Sequence, residues 1–75
     1  MKIEILGTGC PRCKTLEDNV RRAVEEEGKD AEIVKVTDIN EIIEYGVMST
    51  PAIVIDGQVK SYGKVSDVEE IKKWL

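Results

Sequence analysis

The two cysteines of this 75-residue chain, Cys10 and Cys13, stand in the run Cys-Pro-Arg-Cys, and the chain has no others. Two thiols at this spacing can close into a disulfide and open again, or can ligate a soft metal ion. A disulfide across so short a loop stabilises a fold very little, because that stabilisation grows with loop length. The pair therefore predicts chemistry, and a redox-active dithiol is the first interpretation.

The two thiols are predicted to differ in reactivity. Cys10 falls at the N-cap of a helical pattern that starts at Pro11, where free N–H groups and the helix dipole favour a thiolate. Arg12 adds positive charge beside it. Such surroundings lower a cysteine pKa from about 8.5 to roughly 3.5–7.5, so we expect Cys10 to be the attacking nucleophile. Cys13 aligns with the apolar Leu16, which predicts a more buried sulfur that resolves the mixed disulfide.

Composition argues against several other classes of protein. The net charge is −4 with no basic cluster, which disfavours nucleic acid or an anionic membrane as partner. The chain has no histidine, and two thiolates cannot complete a four-ligand zinc site. We find no signal-like leader and no long apolar run, and so expect a cytoplasmic protein. In a reducing cytosol a Cys-X-X-Cys pair is seldom a structural bridge.

Apolar periodicity predicts a small α/β domain that spans residues 1–75, with the order β-α-β-α-β-β-α. The predicted strands cover residues 2–6, 31–36, 52–55 and 58–62. Strands that alternate with helices favour a mostly parallel sheet, and an Asp56-Gly57 turn adds an antiparallel hairpin. We therefore expect a four-stranded mixed sheet with helices on both faces.

The second and third helices each begin at a predicted capping box, formed by Asp38 with Glu41 and by Ser66 with Glu69. In the first helix, Glu17 and Arg21 are four residues apart. We expect this pair to lie on the solvent-exposed face of that helix.

Along the chain follow the first predicted strand, the run Gly-Thr-Gly-Cys-Pro-Arg-Cys, a long helix and, later, the run Ser-Thr-Pro-Ala. With these features in this order, the chain resembles thioredoxin- and glutaredoxin-fold proteins over essentially its whole length. More narrowly, it is similar to the small thioredoxin-like proteins of the redox-active disulfide protein 2 family. The resemblance implies a thiol–disulfide oxidoreductase with a thioredoxin-like fold. It also implies that Pro51 follows a cis peptide bond and that the backbone of Thr50 binds substrate.

The resemblance further suggests a role for Glu4, which lies six residues before Cys10. Thioredoxins place a buried carboxylate at this offset, and our hypothesis is that Glu4 helps to deprotonate Cys13. The alternative is a solvent-facing strand residue. The glutathione-binding segment of glutaredoxins has no counterpart at residues 62–67, so the resemblance does not imply a dedicated role for glutathione.

The expected partners are protein or small-molecule disulfides and an upstream thiol or flavoprotein reductase. We expect a monomer that needs no bound cofactor. Two alternatives stay open at this point: a Cu(I) carrier that uses both thiolates of the pair, and a non-catalytic module that only senses redox state. Copper-carrying domains place a similar pair after their first strand, but their element order is β-α-β-β-α-β.

Overall fold

A computed structural model describes residues 1–7 and 11–75 of the chain. The elements are β1 (Lys2–Leu6), α1 (Pro11–Glu27), β2 (Glu32–Val36), α2 (Ile39–Glu44), β3 (Ala52–Ile55), β4 (Gln58–Tyr62) and α3 (Val68–Trp74). This is the predicted order, and it differs from the order of the copper-carrying domains. None of the three helices in the described part of the chain is long and apolar enough to cross a membrane.

The four strands form one mixed sheet in the order β2-β1-β3-β4. Strands β1 and β2 are parallel, with Leu6 opposite Val36. Strand β3 runs antiparallel to β1, with Leu6 opposite Ala52, and β4 runs antiparallel to β3. The mixed sheet is confirmed, but the prediction that it is mostly parallel is wrong, because one of these three pairings is parallel.

The difference lies in the connection from β2 to β3, residues 37–51, which contains the short α2. Six helical residues rise about 9 Å, whereas a five-residue strand spans about 17 Å. The helix alone therefore does not return the chain along the full length of β2. Strand β3 enters at the edge where β2 ends, with Ala52 and Val36 on either side of Leu6.

Helices cover both faces of the sheet, as predicted. Alternation along β1 sends Ile3 and Ile5 to one face and Leu6 to the other. The first face packs against α1 and α3 in an apolar cluster of Ile3, Ile5, Leu16, Val20, Ala23, Ile53, Ile55 and Ile71. The second face packs against α2 in a cluster of Leu6, Val36, Ile42, Val47, Ala52 and Val54.

The hairpin between β3 and β4 turns at Asp56-Gly57, as predicted. Both residues have positive φ, 50° and 84°, which is the pattern of a type I′ turn. The Asp56 carboxylate also accepts a hydrogen bond from the backbone N–H of Lys2 at 2.8 Å, which ties the turn to β1.

The two predicted helix caps have different outcomes. Asp38 caps α2, and its side chain accepts a hydrogen bond from the Asn40 N–H. The cap of α3 is Asp67, which accepts from the Glu70 N–H at 2.8 Å, so the prediction of Ser66 is wrong. An ionised carboxylate is a stronger acceptor at a helix N-terminus than a hydroxyl, and Ser66 is completely buried.

Candidate redox site

The site is built where the C-terminal end of β1 meets the start of β3. Leu6 pairs with Ala52 in antiparallel register, which brings the adjacent residues Gly7 and Pro51 to the same edge of the sheet. The Gly7 N–H donates to the Val36 carbonyl at 3.0 Å and so holds the end of β1 against β2. Helix α1 begins at Pro11, four residues after Gly7, as the sequence pattern predicts.

Cys13 lies in the first turn of α1 and is 7% exposed, in agreement with its expected burial. Its sulfur packs directly against Gly7. A Cβ atom on Gly7 would overlap the Cys13 Sγ, so only glycine fits beside this sulfur. Sequence reasoning gave Gly7 no separate role and missed this packing. The one available signal was a glycine that directly follows a strand and precedes the cysteine pair.

Cys10 lies outside the described residues, so its N-cap position and its role as nucleophile stay predictions. Arg12 is exposed, and its guanidinium donates to the Gly63 carbonyl at 3.3 Å. This bond draws the first turn of α1 towards the end of β4. The proposed effect of Arg12 on the Cys10 thiolate also stays a prediction.

The Thr50–Pro51 peptide bond is cis, the isomer that the resemblance implies. Pro51 is buried, and its carbonyl accepts from the Gly63 N–H at 3.0 Å. Gly63 has a φ of 74°, and a Cβ there would lie 3.1 Å from the Ser49 Cβ. Gly63 therefore joins the cis-proline segment to Arg12, a role that sequence reasoning missed.

An apolar groove lies next to Thr50, along α2 and the loop that follows it. It encloses about 260 Å³, and its lining includes Ile39, Ile43, Met48 and Thr50. Met48 is 91% exposed, and the two isoleucines are more than half exposed. Large apolar side chains grouped at the surface are typical of a contact with another molecule.

Comparison with known proteins agrees with this geometry. The family model described as "Thioredoxin domain" matches residues 1–75. The chain belongs to the thioredoxin family. As a family member it is a dithiol–disulfide oxidoreductase, and its α/β architecture is a thioredoxin-like fold.

Two archaeal proteins named thioredoxin are similar to this family member along nearly its whole length. The one from Methanothermobacter thermautotrophicus is 48% identical over 75 residues, which cover 100% of this chain and 97% of the relative. The one from Methanocaldococcus jannaschii is 55% identical over 73 residues, which cover 97% of this chain and 84% of the relative. An uncharacterised 9.0 kDa protein of Acidithiobacillus ferrooxidans is 35% identical over 72 residues, 92% of this chain and 84% of that protein.

In this thioredoxin-family chain Glu4 lies on the α2 face of the sheet, because its neighbours Ile3 and Ile5 face α1. The Tyr45 hydroxyl donates to Glu4 Oε2 at 2.5 Å. That hydrogen bond, with burial and the Glu41 and Glu44 carboxylates, raises the pKa of Tyr45 to about 12. This orientation lends no support to proton transfer from Cys13 to Glu4, which stays a prediction.

Glu17 is a buried charged residue of the redox helix, and its expected solvent exposure is wrong. It is 7% exposed and binds Arg21 at 3.0 Å and Lys35 of β2 at 3.2 Å. Burial raises the pKa of Glu17, but the bonds to Arg21 and Lys35 outweigh burial and lower it below the ordinary value. Helical periodicity could predict the Arg21 pair but not Lys35, which arrives from a strand distant in sequence.

Among residues 1–7 and 11–75, no three histidine, cysteine, aspartate or glutamate side chains are grouped so that they could hold a metal ion.

Proposed function

We propose that Cys10 is the attacking thiolate of this oxidoreductase and that Cys13 resolves the mixed disulfide. The observation that carries the proposal is the burial of Cys13 in the first turn of α1, against Gly7 and at the sheet edge that holds Pro51. Because α1 begins at Pro11, Cys10 directly precedes the helix in sequence, where a thiolate is favoured.

The reaction consists of two thiol–disulfide exchanges. The Cys10 thiolate attacks one sulfur of the substrate disulfide, which forms a mixed disulfide and releases the other substrate sulfur as a thiolate that takes up a proton. Cys13 then loses its proton and attacks the Cys10 sulfur. The Cys10–Cys13 bond forms as the bond between Cys10 and the substrate breaks. The substrate disulfide gains two electrons, and the dithiol of the chain loses two.

The substrate is proposed to be a protein disulfide whose flanking segment lies beside the cis-proline. The backbone of Thr50 would bond that segment, and the apolar groove would receive one of its apolar side chains. The groove is lined by apolar and small polar side chains and by no charged side chain of the described residues. A substrate with an apolar side chain near its disulfide would therefore bind best.

An upstream thiol or flavoprotein reductase would return the dithiol to its reduced form. We place this cycle in the cytoplasm, with the protein acting as a monomer. Arg12 would contribute positive charge near the Cys10 thiolate. The glutathione-binding segment of glutaredoxins has no counterpart here, which favours a protein or low-molecular-weight thiol other than glutathione as the partner.

Trapping of the mixed disulfide tests these assignments. The Cys13→Ser variant should accumulate a covalent adduct with a disulfide substrate through Cys10, because the resolving thiol is missing. The matched Cys10→Ser variant should accumulate little adduct, since the remaining thiol is buried. Mass spectrometry of the adducts distinguishes the two. An adduct that forms equally through Cys13, or in neither variant, would contradict the assigned roles.

A further inference from the structure

The reaction proposed above leaves one buried charge on the redox helix without a role. Glu17 lies four residues after Cys13 on α1, a spacing that brings the two Cβ atoms within about 5–6 Å. Side chains of an α-helix lean towards its N-terminus, so Glu17 covers the turn that contains Cys13. Both residues are 7% exposed.

Two cations hold the Glu17 carboxylate in place. Arg21, one turn further on, leans back and binds Oε2 at 3.0 Å, and Lys35 of β2 binds Oε1 at 3.2 Å. Both cations keep Glu17 ionised, and their bonds lower its pKa. A carboxylate with a lowered pKa is a poor proton acceptor, so any influence on a neighbouring thiol is that of a fixed negative charge.

We propose that Glu17, held by Lys35, is a positioning residue that opposes ionisation of the buried Cys13 thiol, both before and after the mixed disulfide forms. The proposal rests on the assignment of Cys13 as the resolving thiol. A negative charge one turn away opposes a second negative charge on Cys13. The Glu17 charge thereby preserves the difference between the two cysteines and sets how long the mixed disulfide lasts.

On α1, Arg12 and Lys14 adjoin Cys13 in sequence, and Asp18 adjoins Glu17. The same helix contributes Arg21. Strand β2 contributes Lys35, whereas Glu4 of β1 lies on the opposite face of the sheet. From α3, Lys72 binds Glu26 at the far end of α1.

The test is a pH titration of the Cys13 thiol in the Cys10→Ser chain, followed by the NMR chemical shift of its Cβ and by thiolate absorbance. Glu17→Gln, which removes the negative charge and keeps one acceptor oxygen, should move the midpoint down by about 1 pH unit. Lys35→Met removes a positive charge while Arg21 keeps Glu17 ionised, so it should move the midpoint up. In the full chain, at pH values below the wild-type midpoint of Cys13, Glu17→Gln should also shorten the lifetime of the mixed disulfide.

The matched control is the ion pair between Glu26 of the same helix and Lys72 of α3. Glu26→Gln and Lys72→Met should leave the Cys13 midpoint unchanged, because Glu26 lies about three and a half helical turns from Cys13. Any of three results would overturn the proposal. The Glu17→Gln midpoint could be unchanged, Glu17→Gln and Lys35→Met could shift the midpoint in the same direction, or the controls could shift it as much. The titration needs no turnover, so it can fail or succeed independently of the trapping experiment that tests the reaction.

Discussion

At the scale of single residues, the redox site depends on the absence of a Cβ atom at Gly7 as well as on the two cysteines. The Cys13 sulfur occupies the space where a Cβ of residue 7 would stand. Interiors are close-packed, so a methyl group cannot be added there without displacing the sulfur or the end of β1. Gly7 therefore belongs to the redox site even though it has no reactive group.

The change Gly7→Ala should lower the free energy of unfolding by about 1–3 kcal/mol, as overpacking does in other cores. It should also change the redox midpoint of the chain, because Cys13 must move. Chemical denaturation and a redox titration measure the two effects. Gly28→Ala is the control: its added Cβ meets no atom within 4 Å, so it can strain the positive φ of 65° but should leave the midpoint unchanged. Wild-type stability and midpoint in Gly7→Ala would refute this packing role.

The bond between Tyr45 and Glu4 predicts a loss of stability at alkaline pH. The pKa of Tyr45 is raised to about 12 in the folded chain, against about 10 for an ordinary tyrosine. A raised pKa contributes stability that is complete below pH 10 and is lost as the pH rises from about 10 to about 12. Tyr45→Phe should be less stable by about 1–2 kcal/mol at neutral pH, and the difference should shrink across that interval.

Unfolding measured by denaturant at a series of pH values checks this prediction, with Glu4→Gln as the companion variant. Glu4→Gln should bring the absorbance titration of Tyr45 back towards pH 10, because the charged acceptor is gone. If the difference in unfolding free energy between wild type and Tyr45→Phe stays constant from neutral pH to pH 12, the prediction is contradicted.

At the scale of elements, the neighbouring polar residues Ser66 and Asp67 at the start of α3 are expected to contribute differently to stability. Asp67→Ala should cost about 1 kcal/mol of stability, since it removes the hydrogen bond to the Glu70 N–H. Ser66→Ala should be neutral or stabilising, because its hydroxyl is buried without a hydrogen-bond partner in the described structure. Thermal or denaturant unfolding of both variants checks the pair. A larger loss in Ser66→Ala than in Asp67→Ala would restore Ser66 as the cap.

The elements also show which features local sequence could predict. Apolar periodicity and turn residues are local, so the bounds of β1, the Asp56-Gly57 turn and the burial of Cys13 were predictable. The direction of β3 was not, because it depends on the path that the whole connection over residues 37–51 takes between the strands. The Glu17–Lys35 pair and the fit of Gly7 against Cys13 join residues through tertiary packing, which periodicity does not encode.

At the scale of the whole molecule, an acidic chain of net charge −4 presents an apolar groove next to its cis-proline. Met48→Ser should slow the reduction of a protein disulfide several-fold by removing apolar contact area. It should leave the reduction of a small aromatic disulfide unchanged, because such a substrate is too short to fill the groove. Parallel turnover assays with the two substrates measure this, and equal effects on both would exclude the groove as a docking surface for protein substrates.

The central claim is that Cys10 and Cys13 form a working dithiol, and an equilibrium redox titration of the full chain tests it most directly. The chain is equilibrated in defined thiol–disulfide buffers, and its free thiols are alkylated and counted by mass. We predict a reversible two-electron transition between roughly −270 and −120 mV that is absent in Cys10→Ser and Cys13→Ser. A chain that forms no intramolecular disulfide, or forms one only under harsh oxidation, would contradict the claim and make Cu(I) binding the next assay.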